Sequence, residues 1–136
     1  MVKGLEAVEA DLIRRLYNVR LTAKQEARRQ GEGVATAARY LAPRDDGNLI
    51  RSIRVENADS VTTSKGERDF IGVKVVAGDA TTMVTNGSGG RFQNARIQEF
   101  GTKTRAANPY FFPAWKANRR RVRSAISRAI RKAWTS

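Results

Sequence analysis

Between Leu5 and Leu41 apolar side chains fall at Leu5, Val8, Leu12, Leu16, Val19, Ala23, Ala27, Val34, Ala38 and Leu41, in steps of three and four with one of seven. That spacing keeps them on one stripe of a helix and predicts a long amphipathic helix over 3–41. The stripe thins to alanine midway, and Gly31 and Gly33 fall inside it. Each glycine costs about 1 kcal/mol relative to alanine in a helix, which predicts a kink or a break there. Pro43 ends the helix, because the residue before a proline, Ala42, is pushed away from helical angles.

The period then shortens, and a β-rich middle is expected over 50–78. Asp46 fits the N-cap of a short turn that holds Leu49 and Ile53 on one face. After it "SIRVENA" reads as extended chain. In "FIGVKVVAG" Ile71, Val73 and Val75 alternate with Gly72, Lys74 and Val76, the strongest strand pattern in the chain. The "SKGERD" before it supplies a turn that pairs this strand with the preceding one. The glycine-rich "TNGSGG" makes 79–92 a flexible loop. "NARIQEF" fits a short helix no worse than a strand, with Gly101 placed to end a helix. From Pro113 onward Trp115, Val122, Ile126, Ile130 and Ala133 or Trp134 recur at helical spacing, so a second amphipathic helix is expected over 113–134. Helix, strands, loop and helix in that order predict one α+β domain over 1–136, with helices against a small antiparallel sheet.

Charge changes the picture most at the C-terminal end. The formal net charge is +13, and Glu99 is the last acid in the 136 residues. The expected second helix carries Lys116, Arg119, Arg120, Arg121, Arg123, Arg128, Arg131 and Lys132 with no acid among them. Such a helix fits a surface for phosphates. It equally fits a solvated face or a contact with acidic protein neighbours. Nothing that reads bases accompanies it: "RRRVR" has no helix-turn-helix spacing or RNP-type aromatics around it. The chain has neither cysteine nor histidine, which excludes disulfides, thiolate chemistry and zinc sites built on those residues, and removes the commonest general base. Neither an enzyme nor a cofactor is expected. "RDD" at Arg44–Asp46 reads as a turn and cap rather than a catalytic pair, and "TNGSGG" lacks the GK[ST] ending of a phosphate-binding loop. No apolar run reaches the roughly 20 residues of a membrane span, and the first fifteen residues lack the apolar centre of a secretion signal. A protein made in the cytoplasm, with no membrane partner, is the expectation.

"NPYFFPAW" combines two prolines with Tyr110, Phe111, Phe112 and Trp115. Part of this cluster starts the core face of the last helix, with Pro113 in the first turn where its missing N–H costs nothing. A core does not require Pro109 as well. Prolines on both sides fix the direction of the chain, which suits a segment held in one shape for a neighbour.

Three stretches taken together resemble a known family. "APRDDGNLIRSI" (42–53) resembles AP-x-D-T-G-x-L-x-x-S-I, "NARIQEFGT" (94–102) resembles Y-A-x-x-V-E-F-G-T, and "AANPYFFPAW" (106–115) resembles the A-x-P-F-[LM]-x-P-A that follows it. In order and spacing they are similar to the neck or tail-completion proteins of long-tailed bacteriophages. Asp46, Asn94 and Gln98 depart from the pattern. The resemblance implies a structural virion protein at the head-to-tail junction, assembled in the host cytoplasm as a homomeric ring of sixfold symmetry. It would contact adjacent neck and tail-tube proteins, with DNA passing through its channel. Stopper, terminator and completion positions all stay open. On this reading Phe100, Gly101, Pro109, Tyr110, Phe111, Phe112 and Pro113 frame a subunit or partner interface, and the C-terminal cations serve docking or face DNA. The rival reading is a nucleic-acid-binding protein, indifferent to base sequence, built on the basic helix.

Overall fold

A computed structural model describes residues 3–85 and 87–136. The chain is α+β: helix α1 (Lys3–Leu41), helix α2 (Asn48–Ser52), strands β1 (Arg54–Thr63) and β2 (Gly66–Val76), a 3-10 turn (Ala80–Thr82), strands β3 (Met83–Thr85) and β4 (Arg91–Gln93), helix α3 (Asn94–Phe100) and helix α4 (Phe111–Thr135). β1 and β2 form one antiparallel hairpin and β3 and β4 another, each a separate two-stranded sheet. Thr63 pairs with Gly66 across the expected turn, Arg54 pairs with Val76 at the other end, and the register shifts between Ala58 and Ser60.

α1 runs through Gly31 and Gly33 without the expected break. Gly31 is buried because β1 and β2 cross the helix there: a Cβ on it would stand 3.1 Å from Val73 Cγ2 and 3.4 Å from Val55 Cγ1. The missing side chain lets a sheet approach a helix closely, and the apolar packing this allows offsets the glycine's cost in helix propensity. The loop expected over 79–92 is corrected as well. Asp79 caps the 3-10 turn by accepting from Thr81 N at 2.8 Å, and Met83–Thr85 pairs with Arg91–Gln93. Thr82, buried, bonds Gln93 across this second hairpin. Ser88–Gly90 lie in its connection, while Asn86 lies outside the described residues.

The core is small and sits at the C-terminal end of α1. Ala35, Ala38 and Ala42, at and just past that end, meet Leu49, Ile53, Ala95, Tyr110 and Ala114, with Val55, Val75 and Phe111 packed around them. The alanines let four segments of chain converge on one helix end. α2 is fastened into this core by side chains. Asp46 Oδ1 accepts from Asn48 N at 2.9 Å, though the capping position itself belongs to Gly47. Buried Ser52 donates to Leu49 O at 2.6 Å and accepts from Gly78 N at 2.9 Å, tying α2 to the end of β2. Arg39 of α1 donates twice to Ile53 O. α4 then returns along α1, so that Arg15 donates to Trp134 O and its guanidinium lies 5.8 Å from the indole centroid. No described helix is long and apolar enough to cross a membrane.

Candidate functional site

The segment from Asn94 to Trp115 is built around Glu99. Asn94–Phe100 resolves as a helix, its first turn held by Gln93, whose side chain accepts from Ala95 N. Glu99 lies near its end and is 7% exposed. One carboxylate oxygen accepts from Tyr110 N and Phe111 N, and the other from Phe112 N, all at 2.9 Å. The first backbone N–H groups of a helix have no partner within it. Here a carboxylate from another helix satisfies three at the start of α4 and places negative charge at the positive end of that helix. In the sequence Glu99 stands out only as the last acid of the chain. The available signal was its place in "EFGT", one residue ahead of the phenylalanine and glycine that close α3.

Between the two helices the chain makes a tight excursion. Gly101 ends α3 with φ 72° and ψ −176°, and its N–H donates to Ile97 O at 2.7 Å. A Cβ there would stand 2.7 Å from Ala107 N and 2.8 Å from Arg105 O, so only glycine fits. Thr102 N donates to Arg105 O and Asn108 N to Gln98 O, which return the chain to Glu99.

The aromatics then divide. Tyr110 is 1% exposed and donates its hydroxyl to Ala95 O at 3.1 Å. Burial, reinforced by the Glu99 carboxylate, pushes its phenol up to about 12. Phe111 is half-buried against the core. Phe112 points outward at 48% exposed and meets Phe100, at 63% exposed, with ring centroids 6.0 Å apart. Pro109 is exposed and Pro113 is partly covered in the first turn of α4. Of the residues expected to frame an interface, Phe100 and Phe112 form an exposed pair, and Gly101, Tyr110 and Phe111 hold its base in place.

Lys116, Arg119, Arg120, Arg121, Arg123, Arg128, Arg131 and Lys132 are all exposed on α4. The ion pairs among the described residues are made by Asp11, Glu26 and Glu56, and none reaches these eight cations. Among the described residues no cluster of three Asp, Glu, His or Cys side chains is placed to hold a metal ion.

All three stretches that carry the family resemblance meet in the one core, through Ala42, Leu49 and Ile53, through Ala95, and through Tyr110 and Ala114. Comparison with protein-family models, with curated proteins and with solved structures found no match to the chain.

Proposed function

We propose that the protein is a structural subunit of a ring at the head-to-tail junction of a tailed phage or phage-like particle, in a neck, tail-completion or terminator position. The observation that carries this reading is the Phe100–Phe112 surface. Two large aromatics stand exposed on a base made rigid by three charge-assisted hydrogen bonds, a glycine with no room for a side chain and a buried tyrosine. A rigid aromatic surface loses little conformational freedom when it is covered, which suits permanent assembly. The modest core points the same way, since Leu5, Val8, Leu12, Ile13 and Leu16 of α1 are left uncovered by the chain's own fold. In this reading the protein is not an enzyme, its partners are copies of itself and the adjacent neck and tail proteins, and its place is the virion.

The second reading, a basic protein that binds nucleic acid without sequence preference, is favoured by the eight exposed cations of α4 and their lack of ion pairs among the described residues.

Phe112→Ala tests the first reading. The side chain is about half exposed, so stability should fall by no more than about 1 kcal/mol. Particle production should then stop at separate heads and tails. Joined particles in normal yield would remove the aromatic surface from the assembly role.

A further inference from the structure

An apolar groove of about 570 Å³ runs between α4, β2 and α1. Its floor is Ala23 and Ala27 of α1, side chains too small to fill the space between the flanking elements, and it runs toward Gly31, where β1 and β2 close on the helix. Ile126 and Ile130 of α4 form one wall and Phe70 and Ile71 of β2 the other. An open channel with such a lining costs solvation unless something apolar lies in it.

We propose that the groove receives the projecting end of α1 from a second copy of the chain. α4 runs antiparallel to α1, since Arg15 meets Trp134 while Arg121 Nη2 lies 3.5 Å from where a Cβ on Gly33 would stand. The α1 residues before Arg15 therefore extend past the end of α4 as a rod of about 18 Å. Leu5, Val8 and Leu12 form its apolar stripe, each between 46% and 63% exposed. The α4 wall, from Trp115 to Ile130, is about 22 Å long, so the rod fits within it.

Charge selects this occupant. Glu6 and Glu9 lie along one border of the stripe, and neither makes an ion pair among the described residues. Arg119, four residues after the groove-lining Trp115, and Arg123, three before Ile126, are exposed next to the α4 wall without lining it, Arg123 also bordering an outer hollow with Arg128 and Arg131, and neither makes an ion pair among the described residues. An apolar stripe bordered by acids matches an apolar groove bordered by arginines. The same chain cannot make the contact. Val8 lies about 10 Å beyond the level of Trp134 and Ile126 about 12 Å inside it, so the two are about 22 Å apart along the axis.

Joining a rod on one copy to a groove on the next is a heterologous contact, which gives a ring where its rotation closes and an open filament where it does not. The contact thus names the subunit interface of the assembly proposed above, and it rests on that reading for closure. The Phe100–Phe112 surface remains free for a different neighbour.

A photoreactive benzoylphenylalanine in place of Leu12, in a mixture of isotopically light and heavy full-length protein, reads where the rod lies. Links between copies should map to peptides holding Phe70–Val73 or Val122–Ile130. Leu12→Glu should weaken self-association by about tenfold or more while lowering the melting temperature of the dilute monomer by no more than a few degrees, because Leu12 is about half exposed. Rings counted by native mass spectrometry whose links fall outside the groove would overturn the docking and leave the ring standing. A chain that stays monomeric and unlinked at every concentration overturns the docking as well, while the Phe112→Ala outcome judges the neck reading separately.

Discussion

Glu99 decides the local structure at the candidate site. Its carboxylate is the common acceptor for Tyr110, Phe111 and Phe112 N–H groups, and glutamine can offer only one acceptor oxygen in the same volume. Glu99→Gln should therefore lower stability by about 1.5–3 kcal/mol, the range for hydrogen bonds to a charged group, measured by urea unfolding. It should also loosen Phe112 relative to Phe100. Tyr110 gives a pH test. Its folded phenol is raised to about 12 by burial and by Glu99, against about 10 in the unfolded chain. The stabilisation is thus fully present below pH 10 and is lost as the pH rises from 10 through 12. Tyr110→Phe leaves the Ala95 carbonyl without its partner and should cost about 1 kcal/mol at neutral pH. The gap between the two proteins should close between pH 10 and 12 in thermal melts, where a constant gap would contradict the buried-phenol account.

The elements are shaped by where they touch. α1 continues unbroken because β1 and β2 settle onto Gly31, with Val73 and Val55 at contact distance. Gly31→Leu would favour the isolated helix by propensity, yet it should destabilise the protein by about 1–3 kcal/mol through overpacking. The measurement is thermal unfolding combined with hydrogen exchange at Val55 and Val73, where protection should fall first. The outer end of the same hairpin, from Val61 to Arg68, is exposed along its whole length. It contributes no residue to the core.

At the scale of the whole molecule the charge and the core are separated. The core lies at one end of α1, while the acid-free α4 runs back along that helix and accounts for much of the +13. A ring would repeat this positive face around its axis and concentrate the potential. In the proposed neck ring, acidic surfaces of adjacent proteins would suit it better than a genome, because a channel that releases DNA quickly is poorly served by many phosphate contacts. Replacing Arg120, Arg128 and Arg131 by Gln should leave the subunit's stability within about 0.5 kcal/mol and reduce the yield of joined particles. Normal joining with altered DNA retention would instead place these arginines against the genome.

Periodicity alone determined the long helix over 3–41, the strand through Phe70–Val76 with its turn, the basic C-terminal helix, and Leu49 and Ile53 as one buried face, all with little error. These features are legible because helix and strand repeats are local, and a few adjacent turns carry the whole signal. Composition likewise removed cysteine and histidine chemistry at once. Glu99 as the cap of α4 was not legible, since its partners lie 11 to 13 residues away and meet it only after Gly101 has turned the chain. The division between buried Tyr110 and exposed Phe112 depends on which side of that cap each ring leaves. Gly31 looked like a breaker because the valines that pack against it, Val55 and Val73, come from strands well further along the chain. The apolar stripe of α1 keeps one period from Leu5 to Leu41, yet the folded chain covers it only between Val19 and Ala38. A repeat reports that one face is apolar, whereas what covers that face depends on the distance between elements, and only the tertiary structure fixes that distance.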